Sequence, residues 1–240
     1  MGNTTKNGLS FVEKIEDKDF GGFSVAKKLV RNLFFDMAEL CTHYCNKTFC
    51  DMPYSYSERS LDSVLLPALS KLCNYMVWVE YPTERKLRGK APKNGRIDYV
   101  CIYQGYTFVI ELKHGYDCFN ATSTKTKKSV CRHWNTMIEQ LNSVKRYVKL
   151  FEESTKGVIR IGLQIVSSYS EKDFGDELMD KFRSSIPKTF EQFKRDLNPD
   201  MMICWKIPEG IATQDPWKIP GLWVLAKIYD PITHKGSKQQ

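Results

Sequence analysis

The sequence predicts a mixed α/β domain, and three observations carry that reading. Apolar residues recur at helical spacing over 24–44, 58–72 and 130–153. β-forming runs lie between and beyond these stretches, the strongest at 97–113 and 158–166. Their order is helix, strand, strand, strand, helix, strand, with additions on either side. A chain of 240 residues, 42% apolar and 12% aromatic, can bury one continuous core, and a single domain is the simplest count.

Taken in order, the first 23 residues are polar, carry Gly8 and Gly21-Gly22 and show no sustained period, which predicts a loose arm. Ser24 is the expected N-cap of a helix over 24–44, with Val25, Leu29, Leu33, Met37, Leu40 and Tyr44 at helical spacing. After a connector, Ser57 caps a second helix, 58–72, whose buried stripe is Leu61, Leu65, Leu69 and Leu72, with a kink expected at Pro67. Residues 75–81 are the first strand. The stretch 84–96 reads as a loop with six basic residues, two glycines and a proline. Residues 97–103 and 106–113 form a hairpin around Gln104-Gly105. The third helix, 130–153, buries Trp134, Ile138, Leu141, Val144, Val148 and Phe151. A strand at 158–166 follows, then a helical stretch 174–197 broken at Pro187, then strands at 201–207 and 222–229. This divides the chain into an N-terminal arm and helix (1–56), a main domain (57–230) and a frayed tail (231–240).

The longest stretch free of charge, Tyr99 to Ile110, has twelve residues and is too short to span a bilayer as a helix, so no membrane is expected. No apolar leader follows Met1, and Lys6 stands where a myristoylation motif wants Ser or Thr, so a cytoplasmic location is expected. Eight irregularly spaced cysteines fit reduced, buried thiols. Cys41, His43, Cys45 and Cys50 match no common zinc spacing. There is no Walker A loop, no G-x-S-x-G and no dinucleotide fingerprint, so no nucleotide cofactor is expected. Thirty-six Lys and Arg against 28 Asp and Glu give a net charge of +8, which favours a polyanionic partner, nucleic acid first.

The hairpin holds the chemistry. Alternation puts Glu111 and Lys113 on one face of their strand. If Tyr103 pairs with Tyr106, counting outward sets Asp98 opposite Glu111. Directly opposed residues have Cβ atoms roughly 4.5–5.5 Å apart, and like charges there repel. A divalent cation turns that repulsion into binding, since Mg²⁺ takes carboxylate oxygens. Lys113, one pleat along, would balance the two acids in the absence of metal and reach a scissile phosphate in its presence. The triplet Glu-x-Lys occurs three times, at Glu16, Glu84 and Glu111, but only Glu111-Leu112-Lys113 ends a β-forming run with a matched acid.

Asp98, twelve intervening residues and Glu111-Leu112-Lys113, preceded by a helix and a strand and followed by a long helix, resemble the PD-(D/E)xK nuclease superfamily, the restriction-endonuclease-like fold. Glu58-Arg59-Ser60-Leu61-Asp62-Ser63-Val64-Leu65 resembles the first-helix segment of archaeal-type Holliday junction resolvases. The resemblance covers about residues 57–166. It implies a three-layer core, a central mixed sheet flanked by helices, here with an N-terminal helical extension. It further implies Mg²⁺ or Mn²⁺ on Asp98, Glu111 and the Leu112 carbonyl, with Glu58 completing the acidic cluster, Lys113 at the attacking water and Gln140 beside that lysine. Ile97 stands where the family name has Pro. Val144 stands where one branch of the superfamily has Tyr.

Two basic groups would follow a phosphate backbone: Arg85, Lys86, Arg88, Lys90, Lys93 and Arg96 in the loop before Asp98, and Lys125, Lys127, Lys128 and Arg132 at the start of the third helix. The expected function is metal-dependent, endonucleolytic cleavage of DNA. The rivals are a non-cleaving nucleic-acid-binding module on the same fold and an RNA-directed nuclease. A homodimer is compatible with the sequence.

Overall fold

The computed structural model describes residues 1–16, 18–48, 51–85, 91, 93–144, 155–214 and 218–232. Eight strands form one mixed sheet: β1 (Gly2–Lys6), β2 (Leu9–Ile15), β3 (Val77–Arg85), β4 (Lys93–Tyr103), β5 (Tyr106–Cys118), β6 (Val158–Tyr169), β7 (Met201–Lys206) and β8 (Gly221–Ile232). Their spatial order is β1-β2-β7-β8-β6-β5-β4-β3. Among the described residues only β5 and β6 run parallel, and α3 (Lys128–Ser143) lies in the connection between them, as a parallel pair requires. The other described helices are α1 (Phe23–His43), α2 (Glu58–Leu72), α4 (Leu178–Leu197) and the short α5 (Glu209–Gln214).

Two apolar clusters sandwich the sheet. On one face α1 and α2 pack with Phe108, Ile110, Leu112, Leu163 and Trp205. On the other, α3 and α4 pack with Val166, Leu225 and Trp223. The result is a three-layer α/β arrangement. The hairpin turn follows the sequence expectation: Gln104 (φ 49°) and Gly105 (φ 83°) both take positive φ, as a two-residue turn matched to strand twist demands.

Several elements depart from expectation. The first residues form no loose arm: β1 and β2 make a hairpin, and β2 pairs along β7. Leu9, Phe11 and Val12 are buried, and this short alternation is too brief to register as a period among so many polar neighbours. Residues on both sides of the 56/57 division therefore share one sheet and one core cluster. The cap of α1 is Gly22 (φ 90°), not Ser24. α4 runs through Pro187 unbroken. Proline removes one helical hydrogen bond, but Phe182, Ile186, Phe190 and Phe193 are buried along the same helix, and the Phe190 and Phe193 rings meet Trp223 at 5.0 and 5.6 Å. The expected loop 84–96 is shorter: β3 and β4 stay paired out to Arg85↔Lys93. β5 runs on to Cys118, β6 to Tyr169 and β8 to Ile232, so the first two residues of the expected tail are strand. The end of the third helix (145–153), Lys86, Arg88, Lys90, Cys50 and the tail from 233 lie outside the described residues. No helix among the described residues is long and apolar enough to cross a membrane.

Candidate functional site

The ladder between β4 and β5 runs from Tyr103↔Tyr106 to Tyr99↔Ile110, the register expected from the turn. It stops there, one pair short of Asp98 and Glu111. On the other side of β4 the pairing with β3 also skips Asp98, between Val79↔Tyr99 and Tyr81↔Ile97, and the facing residue Glu80 has φ 55°. A non-glycine residue in that region is strained and marks a place where regular pairing has been given up. The freed Asp98 carboxylate turns to the peptide of β5: its Oδ2 accepts the Leu112 N–H at 2.6 Å. The expected face-to-face opposition of two carboxylates is thus replaced by an acid bonded to the main chain between Glu111 and Lys113.

Lys113 gathers three elements. Its Nζ donates to the Leu112 carbonyl at 2.5 Å and to Glu58 Oε1 at 3.3 Å, and lies 3.9 Å from Asp98 Oδ2. Glu58 sits in the first turn of α2, where Ser57 and Ser60 form the capping box and the helix dipole favours an acid. Its Oε2 also accepts the His114 N–H at 3.3 Å. Helix α2 is docked on β5 through Leu61, Val64 and Leu65, and so its N-terminus arrives at the Lys113 peptide. A cleft of about 610 Å³ opens here, lined by Glu58, Asp62, Glu80, Arg96, Asp98 and the Leu112 backbone, among others. Tyr99, on its floor, donates from its hydroxyl to Asp62 Oδ1.

Glu111 points to the opposite, α3-covered face. It has no exposed surface, and its Oε1 accepts from Arg85 Nη2 at 2.6 Å. Its Oε2 is buried with no hydrogen-bond partner among the described residues. Burial first, and then the charge of Asp98, push its carboxyl up to about 7, against the pull of Arg85 and Lys113. Asp98 is raised by burial too, opposed by the Leu112 N–H and Lys113.

Of the residues expected at the site, Glu58, Asp98, Leu112 and Lys113 meet around one peptide, with Glu111 beside them through the strand. Gln140 joins through its carbonyl, which accepts from Arg85 Nη1 at 3.0 Å, while its Oε1 is buried without a hydrogen-bond partner, Lys113 included, among the described residues. Arg85 is a correction. Expected as a loop cation for phosphate, it lies on β3 with its side chain only 14% exposed and engaged with Glu111. Lys93 and Arg96 also belong to a strand, and Arg96 pairs with Glu80 at 3.0 Å. Lys125, Lys127 and Lys128 line a cavity at the start of α3. With a rise of ~1.5 Å per residue, Lys128 stands about 18 Å along the helix from Gln140. Lys127 is held at Tyr169, its Nζ 3.1 Å from the hydroxyl. His114 is buried against Ser167, and burial together with His133 lowers it to about 4, so it is neutral at pH 7. The residues that sequence reasoning passed over are Arg85 as a buried partner and Glu80 as the strained neighbour of Asp98. The available signal was Gly95, a glycine within a strand of large residues.

In donor type the Asp98–Glu111 pair fits a hard cation. Glu111 has a buried orphan oxygen and feels the charge of Asp98, whose own Oδ2 is bonded at the Leu112 peptide. Glu58 is engaged by Lys113 instead. Among the described residues no group of three or more His, Cys, Asp or Glu side chains is arranged to hold a metal. No family model, curated protein or solved structure matches this chain.

Proposed function

We propose that this chain is a divalent-metal-dependent nuclease of the PD-(D/E)xK type, cutting DNA phosphodiester bonds endonucleolytically. One observation carries the reading: Glu58, Asp98 and Lys113, from three elements, converge on the Leu112 peptide at the edge of an open cleft. The order α2, β3, β4, β5, α3, β6 with β5 and β6 parallel supports it, being the order that the resemblance implies.

Asp98, Glu111 and the Leu112 carbonyl are the atoms that would hold Mg²⁺ or Mn²⁺, which when bound supplies Lewis acidity to a phosphodiester. The chain's own residues do the rest. The Leu112 N–H fixes the Asp98 carboxylate in place. Glu58 and the Leu112 carbonyl hold the Lys113 ammonium at the cleft, where it orients the attacking water and balances charge gathering on the phosphate. Glu58 also pairs with Lys113 and, through the His114 N–H, ties α2 to the strand.

A second reading, a non-cleaving nucleic-acid-binding module, draws on one observation, the Arg85–Glu111 ion pair, which a purely structural glutamate would also make. Plasmid, linear, branched and single-stranded DNA, and RNA, incubated with and without Mg²⁺ or Mn²⁺, separate the readings. Metal-dependent nicking of plasmid supports the first. Retention of every substrate uncut, with binding, supports the second. Cleavage confined to RNA would replace DNA as the substrate.

A further inference from the structure

Arg85 is bonded from four directions. One guanidinium nitrogen reaches Glu111 Oε1 at 2.6 Å and also donates to the Arg96 carbonyl. The other reaches the Gln140 carbonyl at 3.0 Å and Ser143 Oγ at 3.4 Å, in the last turn of α3, where the helix dipole favours a cation. Its stem passes β4 at Gly95. A Cβ on Gly95 would come within 2.7 Å of both Cδ and Nε of Arg85, so the route exists because that strand position carries no side chain.

The contact with the acid is nevertheless incomplete. A structural Arg–carboxylate pair is commonly forked, two nitrogens on two oxygens. That is how Arg31 binds Glu13, on both carboxylate oxygens. At Glu111 a single nitrogen takes a single oxygen, and Glu111 Oε2 and Gln140 Oε1 stay buried and unpartnered among the described residues. The guanidinium is held by two main-chain carbonyls and Ser143 Oγ as well as by the acid, to which it gives a single hydrogen bond.

We propose that Arg85 is the resident cation of this site, holding beside Glu111 the place that a divalent metal would take, so that metal enters as the guanidinium withdraws. This rests on the reading of Asp98 and Glu111 as a metal pair. A guanidinium on Oε1 and a divalent cation on the orphaned Oε2 of the same carboxylate would repel each other in a buried setting, where charges interact more strongly than in water. The apparent metal affinity is then the intrinsic affinity reduced by the fraction of molecules in which Arg85 has moved aside.

The test is calorimetric titration of the full chain with Mn²⁺, free of nucleic acid, on the wild type, Arg85→Met, Arg85→Lys and Gly95→Ala. Arg85→Met keeps the stem and removes the charge, and is expected to bind Mn²⁺ at least about tenfold more tightly, the gain if Arg85 is withdrawn a tenth of the time. Gly95→Ala displaces the stem with its charge retained and should also tighten binding. Arg85→Lys should stay near wild type. The rise in melting temperature caused by Mn²⁺ should be larger for Arg85→Met than for the wild type. Unchanged or weaker affinity in Arg85→Met overturns the proposal. So does the absence of Mn²⁺ binding from every variant. If Arg85→Met fails to fold, Gly95→Ala decides by the same criterion. Tighter Mn²⁺ binding without cleavage of any nucleic acid leaves the resident cation standing and ends the nuclease reading.

Discussion

Asp200 and Glu111 are both buried acids against the same sheet, and the chain treats them in opposite ways. At the β7–β8 side, Asp200 Oδ1 accepts from Lys227 at 3.1 Å, and Oδ2 accepts from Lys18 at 2.8 Å and the Ile228 N–H at 2.7 Å. Both oxygens are saturated, by two cations and a peptide. At β5, Glu111 has one partner on one oxygen and a second acid, Asp98, near enough to raise its carboxyl. Burial is nearly equal, 3% against 0% exposed, so it does not explain the contrast. An acid kept for stability is neutralised in full, because an unpaired buried charge is costly. Glu111, left half-neutralised beside another acid, departs from that pattern, and the proposed metal site accounts for the departure.

The largest effect that tests this contrast is on cleavage. Asp98→Asn and Glu111→Gln should each lower the single-turnover rate by at least about a thousandfold, roughly 4 kcal/mol of barrier. Asp200→Asn should cleave normally per folded molecule. Lys113→Met should lose rate by orders of magnitude yet bind metal as well as wild type or better, since a neighbouring positive charge is gone. Near-normal cleavage by either acid variant at saturating Mg²⁺ would dismiss the site.

Stability should run the other way. Asp200→Ala strands Lys18 and Lys227 and should cost about 3–5 kcal/mol in urea unfolding at pH 7. Asp98→Asn retains an oxygen for the Leu112 N–H and relieves repulsion with Glu111, so it should cost less than about 1 kcal/mol. Equal losses would erase the distinction between the two acids.

The pH dependence of stability is the next measure. Glu111 is raised from 4.5 to about 7 in the folded chain, so between those values the native state binds more protons than the unfolded state. Stability contributed by protonated Glu111 is therefore full below about pH 4.5 and lost as pH rises towards 7, by on the order of 3 kcal/mol. Urea midpoints for wild type minus Glu111→Gln should fall through that window, and a saturating divalent cation should flatten the fall. A difference that grows with pH would mean that Arg85 already satisfies the acid.

Much of the frame was legible because it rests on periodicity and on one turn. The stripe Leu61, Leu65 and Leu69, the alternation in β6 and the Gln104-Gly105 turn each specify their element locally, and the turn alone fixed the register as far as Tyr99 and Ile110. The acids and the lysine could be named because the strand period says which residues are neighbours. What escaped was decided by contacts across the chain. β1 and β2 are strands because β7 offers an edge nearly 200 residues away. Arg85 reads as a loop cation among Lys86, Arg88 and Lys90, and only the pairing of β3 with β4 carries it inward, past Gly95, to Glu111. Counting from a turn also assumes an unbroken ladder, and at Asp98 the ladder breaks.

That relocation of Arg85 supplies the smallest expected effect. Each phosphate contact made by a Lys or Arg contributes about 0.9 to the slope of log affinity against log salt on duplex DNA. Neutralising Lys86, Arg88 and Lys90 together, or Lys125, Lys128 and Arg132 together, should reduce that slope by up to about 2.7 and weaken binding similarly for all sequences, since phosphate contacts position without reading bases. Lys127 should count for less, being held at Tyr169. Arg85→Met should leave the slope unchanged, because its charge faces Glu111 and the carbonyls of Gln140 and Arg96 rather than solvent. The comparison needs only fluorescence anisotropy across a salt series in the absence of divalent metal. A slope that falls by nearly one unit on Arg85→Met would show the guanidinium on a phosphate in the complex, and Glu111 would then lose its resident cation to DNA rather than to metal.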